Sequence, residues 1–330
     1  MKSLFEHGKP RYGRFKTIPQ CIDIDDFNYM SPFKRQITGL KKNLRFKSFQ
    51  FISLNNSRYM VGAAIADLGW VGHGFFYCYD YQHNIVKELS FLQPFSSTTQ
   101  VCNHHIGSSF FKKSSFSIEI KKSAQQRQVR VRHGRQLLLN ASIAQTDSEP
   151  LVLCSPTGVG GWTYTHKQTA LVVTGSVQLE QQTLDLSQQH FRAAIDDTCG
   201  MLRPETAWHW LSLSGVDRLG QRLGVNLASG VNETFVSENS LWLDGTLSSL
   251  PAVWFERKAR DQWRIYSADG QIELSIHTRW RRHEAKNFLV VASQFSQWVG
   301  LISGNIVCDD GKVIQIDSQL GLVEQHYAKW

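Results

Sequence analysis

Three Asp-Gly dipeptides in the last ninety residues, at 244–245, 269–270 and 310–311, constrain this chain more than any other feature. Each stands between short apolar or alternating runs, as in SLWLDGTLSSL and WRIYSADGQIELSI. A two-residue type I′ turn needs positive φ at both central positions, which Asp followed by Gly tolerates best. After the second turn Ile272, Leu274 and Ile276 alternate with polar residues, and after the third Ile314 and Ile316 stand two apart. That is the period of a strand with one buried face. The C-terminal part is therefore expected to be an antiparallel meander.

The N-terminal half reads the same way. QVRVRHGRQLLLNASI turns at His133-Gly134, and FKSFQFISLNN, SRYMVGAAIADLG, GHGFFYCYDYQ and SFSIEIKK are short runs bounded by Asn, Gly and Ser. Helical periodicity is weak, with short candidates only around Ser31–Leu40 and Gln188–Ala194. Evenly spaced short strands imply an all-β sandwich or barrel, and closure would also remove exposed sheet edges. A length of 330 residues predicts two domains or one large β body. The polar stretch EQQTLDLSQQH (180–190) is the expected linker, which divides the chain into units 1–185 and 186–330.

Apolar residues make up 42% of the chain and aromatics 12%, enough for a packed core. The net charge of +8 raises the question of nucleic acid, but much of the excess is local. Lys9, Arg11, Arg14, Lys16, Lys34, Arg35, Lys41, Lys42, Arg45 and Lys47 crowd the first fifty residues, and Arg279, Arg281 and Arg282 form a second group. Without a finger, helix-turn-helix or RNP pattern these read as solvated basic surface, and no specific nucleic acid is the expected partner. Six scattered cysteines without a CxxC pair, and no apolar segment after Met1-Lys2, predict reduced thiols in a cytoplasmic protein. No run is long enough for a transmembrane span, although peripheral contact with a membrane is compatible with the composition. Oligomeric state is not encoded in any pattern of the chain.

Candidate chemistry concentrates in WTYTHK (162–167) and DDTCGMLRPETAWHW (196–210). On a strand, Trp162, Tyr164 and His166 share one face, with Lys167 on the other. His titrates near neutrality and Tyr can hydrogen-bond a charged oxygen, so the trio fits proton transfer; an aromatic barrel wall with one satisfied histidine is the plainer reading. Asp196, Asp197 and Glu205 lie close to Arg203, as catalytic carboxylates or as structural ion pairs. Trp208 and Trp210 share a strand face suited to stacking on a ligand or to filling a core. Glu238 and Asn239 precede an aromatic strand and are placed to reach a pocket mouth. In GLVEQHYAKW, Glu324 and His326 share a face, read as a docked terminal strand. CNHH (102–105) supplies no closed tetrahedral set, so no metal is expected. GVGGW (158–162) lacks P-loop context, and neither GxSxG nor HExxH is present.

The run FKSFQFISLNNSRYMVGAAIADLGW, followed by FFYCYDY, YTHK, RPETAWHWLSLSG, GVN, ENSLWLDG and DGKVIQIDSQLGLVEQHYAKW, resembles an uncharacterised bacterial family of lipocalin-like two-barrel proteins. The likeness extends from about residue 8 to 330. That family is distantly similar to hydroxyneurosporene synthase (carotenoid 1,2-hydratase) and to AttH-like proteins. The resemblance implies two consecutive lipocalin-like (calycin) antiparallel β-barrels with little helix and a ligand cleft between or inside them. Where the family pattern reads Asp-Trp-Thr-Arg-Gly, Asp196, Thr198 and Gly200 match while Asp197 and Cys199 depart, which implies a changed ligand or lost activity if those positions touch it.

The resulting expectation is a protein that binds an apolar or amphipathic small molecule, with cofactor-independent hydration, isomerisation or cyclisation of it. Asp196 or Glu205 would act as acid, His166 would take or relay the proton, and Tyr164 would orient the intermediate. Trp162, Lys167, Arg203, Trp208, Trp210, Glu238 and Asn239 would hold the ligand. The alternatives are a non-catalytic lipid or isoprenoid carrier and, third, nucleic-acid association through the basic N-terminal surface.

Overall fold

The computed structural model describes residues 1–232, 236–287 and 292–330. The alternating runs are strands: Lys47–Asn55, Tyr59–Asp67, Val71–Asp80 and Phe116–Lys122 in the first half, and Gln126–His133 with Gln136–Ala144 around His133-Gly134. All three Asp-Gly dipeptides join antiparallel neighbours. Only at 244–245 do both residues take positive φ (47° and 88°); at 269–270 and 310–311 the glycine alone does. The other two aspartates turn the chain with their side chains instead. Asp269 Oδ1 accepts from the Gln271 amide at 3.0 Å and Asp310 Oδ1 from the Lys312 amide at 2.9 Å, an Asx-type turn.

Helix is confined, among the described residues, to Gly39–Arg45 and a 3-10 turn at Ile24–Asp26. The expected helix around 31–40 is absent, and 188–194 runs into the strand Arg192–Met201. That strand is buried on both faces, so its residues read as a continuous run with neither a strand's alternation nor a helix's apolar stripe.

Among the described residues fourteen strands join one sheet and nine join another, beside a small hairpin of Phe5–Glu6 and Lys9–Pro10. The first sheet runs from Ile85–Pro94 through Val71–Asp80, Tyr59–Asp67, Lys47–Asn55, Arg192–Met201 and Gly161–Leu179 to Gln136–Ala144 and the hairpins before it. The second places Glu205–Val216 beside Val313–Lys329, with Ala292–Val307 and Ile272–Asn287 following. Together they form a nearly closed barrel and a half-barrel sheet, a lipocalin-like two-barrel architecture. The expected linker at 180–190 lies inside the first sheet. Gln182–Asp185 pairs back on Gly161–Leu179, Leu184 and Leu186 are buried, and sheet membership changes only between Met201 and Glu205.

Each barrel interior is filled. Ile118, Ile120, Val129, Val131, Leu139 and Phe76 pack inside the first, and Leu213, Val225, Ile265, Leu274, Ile302 and Val323 inside the second. The first closes because its ends approach directly: a Cβ on Gly74 would lie 2.3 Å from the Phe111 ring, and Phe91 stacks on Phe116 at 4.9 Å. With the interiors occupied, space for a ligand is left to the outer faces.

Those outer faces meet. Phe51, Phe75, Tyr77 and Tyr79 of the first sheet pack against Trp210, Val299, Leu320 and Leu322 of the second. Buried polar ties fix the docking. Asn55 Nδ2 donates to the Ser214 and Leu320 carbonyls at 2.7 and 3.1 Å, and the Tyr77 hydroxyl donates to Gln297 Oε1 at 2.7 Å. The long strand Gly161–Leu179 bends at a bulge between Gln168 and Leu171, where Ala170 takes φ 55° and its amide donates to Ser214 Oγ at 3.1 Å.

Candidate functional site

A cavity of about 1040 Å³ continues this seam between the sheets. Such a volume suits a drug-sized or larger apolar molecule. Phe49, Phe51, Phe75, Trp208, Trp210 and Phe295 supply most of its aromatic wall. Two groups of ionisable side chains interrupt it.

The first group centres on Lys167. Its strand pairs with Arg192–Met201 so that Lys167 stands opposite Asp196, and the Nζ–Oδ2 distance is 2.8 Å. Glu238 Oε2 lies 3.3 Å from the same Nζ, which also sits 5.3 Å from the centroid of Trp210. Burial works to lower the Lys167 pKa, but the two carboxylates outweigh it and raise it, so the ammonium is permanent at neutral pH. Glu238 shifts upward, by burial first and by Asp196 next, against the pull of Lys167. Thr198 Oγ1 donates to Asp196 Oδ1 at 3.2 Å, and Trp210 Nε1 is fixed by Asn226 Oδ1 at 2.7 Å.

Glu324, on the opposite sheet, is a further acid of this wall. Trp208 Nε1 donates to Oε1 at 2.9 Å and Gln297 Nε2 to Oε2 at 3.0 Å. Burial pushes its carboxyl up to about 7; the two hydrogen bonds oppose that, and the Asp196 charge adds to it. Glu324 thus holds or releases a proton around neutrality, the range useful for general acid catalysis. Two residues on, His326 packs against Trp208 with ring centroids 4.3 Å apart, and Ser293 Oγ is 2.9 Å from its Nε2. Burial, with the nearby His73 and Arg282 charges, lowers its pKa to about 3, so the imidazole is neutral.

The second ionic group lies around Arg282. Its guanidinium stacks 3.9 Å from the Phe75 centroid, reaches Glu88 at 3.2 Å and pairs with Glu284. Ser90 Oγ donates to Glu284 Oε1 at 2.5 Å and His73 Nε2 lies 3.5 Å from Oε2. Burial would raise Glu284, but His73, Arg282 and Ser90 bring it down to about 2.

Of the residues expected to bind or react, Lys167, Asp196, Arg203, Trp208, Trp210 and Glu238 line this cavity. His166, Tyr164 and Trp162 do not. They do share a strand face, but it is the face turned toward the N-terminal segment, where Trp162 packs on Phe5 and Phe27 at 5.2 and 5.9 Å. His166 and Asp196 therefore point to opposite sides of the sheet, and a proton relay between them is geometrically excluded. His166 lies instead 4.0 Å from Asp197, whose carboxylate is gripped by Arg127 at 2.7 and 2.8 Å. Burial lowers the His166 pKa to about 3, so it does not titrate near neutrality. Tyr164 is pushed well up by burial and stays a neutral phenol.

Glu205 is a surface residue 3.6 Å from Lys329 and outside the cavity wall. Asn239 is buried but structural: its Oδ1 accepts from the Ala228 amide at 2.7 Å and its Nδ2 donates to the Pro251 carbonyl at 2.8 Å. Asp197 and Cys199, the two departures from the family pattern, face away from the cavity with His166 and Tyr164. The basic clusters are not all solvated surface either. Arg282 is 1% exposed, and buried Lys47 donates to the Leu44 and Leu68 carbonyls at 2.6 and 2.7 Å. At CNHH, His104 Nδ1 lies 3.4 Å from the Ile22 amide, and no cluster of metal-ligating side chains forms among the described residues. All six cysteines are unpaired, with Cys78, Cys154 and Cys199 buried.

A largely apolar cavity between the two sheets of a lipocalin-like two-barrel fold defines the structural class, and comparison with known families narrows it. The chain belongs to the family described as Domain of unknown function (DUF2804), whose model matches residues 28–330. No curated protein matches it. Kievitone hydratase from Nectria haematococca is similar in fold, with a TM-score of 0.51, 13% identity, and coverage of 86% of this chain and 89% of that one. A putative AttH from Nitrosomonas europaea has a TM-score of 0.42 at 12% identity, covering 85% of this chain and 92% of its own. CghA has a TM-score of 0.42 at 9% identity, covering 85% and 87%. At these identities the likeness shows the fold alone.

Proposed function

We propose that the protein binds a neutral, largely apolar small molecule in the intersheet cavity and carries out cofactor-independent acid–base chemistry on it, with Glu324 as the general acid. The observation that carries this reading is a buried carboxyl near pH 7 in the wall of an aromatic cavity of about 1040 Å³. In the protonated state Glu324 delivers its proton to an alkene carbon or a polarised oxygen of the ligand. The cation so formed lies in a wall that includes Trp208, Trp210 and Phe51, aromatic side chains whose π-systems favour positive charge. Water then adds to the cation and gives up a proton to the Glu324 carboxylate (hydration), or a neighbouring C–H proton passes to it directly (isomerisation) or after a second alkene of the ligand closes on the cation (cyclisation), with no net redox change. The occurrence of a hydratase on this fold is compatible with the reading.

The charge pattern supports a neutral ligand. In the cavity wall Lys167 is already matched by Asp196 and Glu238, and Arg282 by Glu284. Lys41, Arg45 and Lys286, which also line the cavity, stand at its exposed edge, so a ligand carboxylate taken up beside Glu324 bears a desolvation cost that pairing does not offset. Titration with farnesol and farnesoic acid, followed by quenching of tryptophan fluorescence, tests this. The alcohol should bind at least tenfold more tightly at pH 8; equal or tighter binding of the acid would refute a neutral-ligand site. Binding of the alcohol that is unaffected by Glu324→Gln, with no turnover of any bound species, would leave the carrier reading in place of the enzyme.

A further inference from the structure

The rim of the cavity differs from its interior in a way that concerns where the ligand comes from. Leu40 on the helix Gly39–Arg45 and Trp70 on the turn before Val71–Asp80 both line the cavity, yet they are 74% and 46% exposed. Phe95, 70% exposed, lies against Trp70 with ring centroids 6.2 Å apart, and its amide donates to the Trp70 carbonyl at 2.8 Å. These three residues form one patch rather than three accidents. Buried Lys47 bonds the Leu44 and Leu68 carbonyls, clamping the helix to the turn. Gly69 completes the fit: its φ is +76°, and a Cβ there would lie 2.9 Å from the Leu44 carbonyl oxygen.

Lys41 and Arg45, on the same helix, also line the rim and are exposed. Neither has a carboxylate partner among the described residues. Single exposed apolar side chains need no explanation, but aromatic and leucine side chains interleaved with unpaired cations are the composition of an interfacial membrane contact. The cations attract an anionic surface while Trp and Phe insert at headgroup level.

We infer that this rim docks on an anionic lipid bilayer and that the apolar ligand passes between the bilayer and the cavity through it. The inference rests on the proposed apolar cargo. It commits to a lipid surface because Leu40, Lys41, Arg45 and Trp70 of the patch are both exposed and part of the wall of an apolar cavity, which a bilayer can load directly and a soluble protein partner would block. The helix is too short to span a membrane, and no helix among the described residues is long and apolar enough to do so. Docking is therefore peripheral.

Co-flotation with vesicles separates the possibilities. Vesicles of phosphatidylcholine with about one-quarter phosphatidylglycerol should bind the protein at least tenfold more tightly than phosphatidylcholine alone. Trp70→Ser with Phe95→Ser should weaken that binding at least tenfold, and Lys41→Glu with Arg45→Glu should remove the preference for anionic lipid. Thermal melting of each variant within a few degrees of the parent ensures that lost binding is not lost folding. Absence of vesicle binding, or vesicle binding that both double variants retain in full, would overturn the docking inference. Farnesol binding without vesicle binding defeats only the docking surface, whereas vesicle binding without farnesol binding defeats only the proposed cargo.

Discussion

Replacing Glu324 with glutamine probes the acid without changing its shape, and the structure sets both the size and the sign of the effect. A carboxyl that titrates near 4.5 in the unfolded chain and near 7 in the folded one carries a penalty that grows as pH rises between those values. Below pH 4.5 both states hold the proton and the penalty is absent. Between the two values the folded state keeps the proton that the unfolded state has lost, so stability falls with pH. Above 7 the loss is complete, and the gap is worth about 3 kcal/mol at 1.36 kcal/mol per pH unit. Glutamine carries none of it. Its amide can still accept from Trp208, but its NH2 group confronts the Gln297 donor, a loss of about 1–2 kcal/mol that does not vary with pH. Glu324→Gln should therefore be less stable than the parent at pH 4.5 and more stable at pH 8, with the difference between the two swinging by about 3 kcal/mol. Urea unfolding of both proteins from pH 4.5 to 8 measures the swing, and every other titration cancels in the comparison. A stability difference that stays flat across that range would mean an ordinary carboxyl, and Glu324 would then have no proton to give at neutral pH.

Other substitutions test the remaining parts of the site. Lys167→Met strands Asp196 and Glu238 as buried carboxylates and should cost about 3–5 kcal/mol by urea unfolding, part of which Glu238→Gln should restore. His166→Phe should leave farnesol affinity unchanged within twofold, because the ring faces the opposite side of the sheet; a tenfold loss would return His166 to the site. Gly74→Val drives a side chain into the Phe111 ring where the barrel closes and should lower stability by about 1–3 kcal/mol in thermal or urea melts.

Much of the fold was legible because turn chemistry and alternation are local. Asp244-Gly245 and the strict alternation of Ile272, Leu274 and Ile276 needed no knowledge of distant residues, and both stand in the structure as read. At 180–190 the polar surface concealed Leu184 and Leu186, two buried apolar residues at strand spacing that tie the segment to the first sheet. The site was half legible. Lys167, Asp196, Trp208 and Trp210 carried residue types that suit a cleft, and alternation correctly set Lys167 apart from His166. Alternation does not say which face borders a cavity, however, and Trp162, Tyr164 and His166 lie on the face turned away from the intersheet cavity.

Glu324 shows the other limit. With His326 it had a visible shared-face spacing, but its importance depends on pairing between Glu205–Val216 and Val313–Lys329, which sets Trp210 opposite Glu324 and Trp208 opposite His326. Contacts across more than a hundred residues have no local signature. Arg282 was misread for a similar reason, since a cation in a basic cluster looks solvated until Phe75 and Phe295 are brought over it.

If Glu324 hands its proton to a carbon of the ligand, solvent deuterium must appear in the product. The apolar extract of cells that produce the protein, incubated in D2O with the parent or with Glu324→Gln and then surveyed by mass spectrometry, reads out delivery of a solvent-derived proton to carbon. At least one extract component should gain deuterium with the parent protein and not with Glu324→Gln. Labelling that persists undiminished in the variant, or none with either protein, would contradict a Glu324-driven reaction in the intersheet cavity.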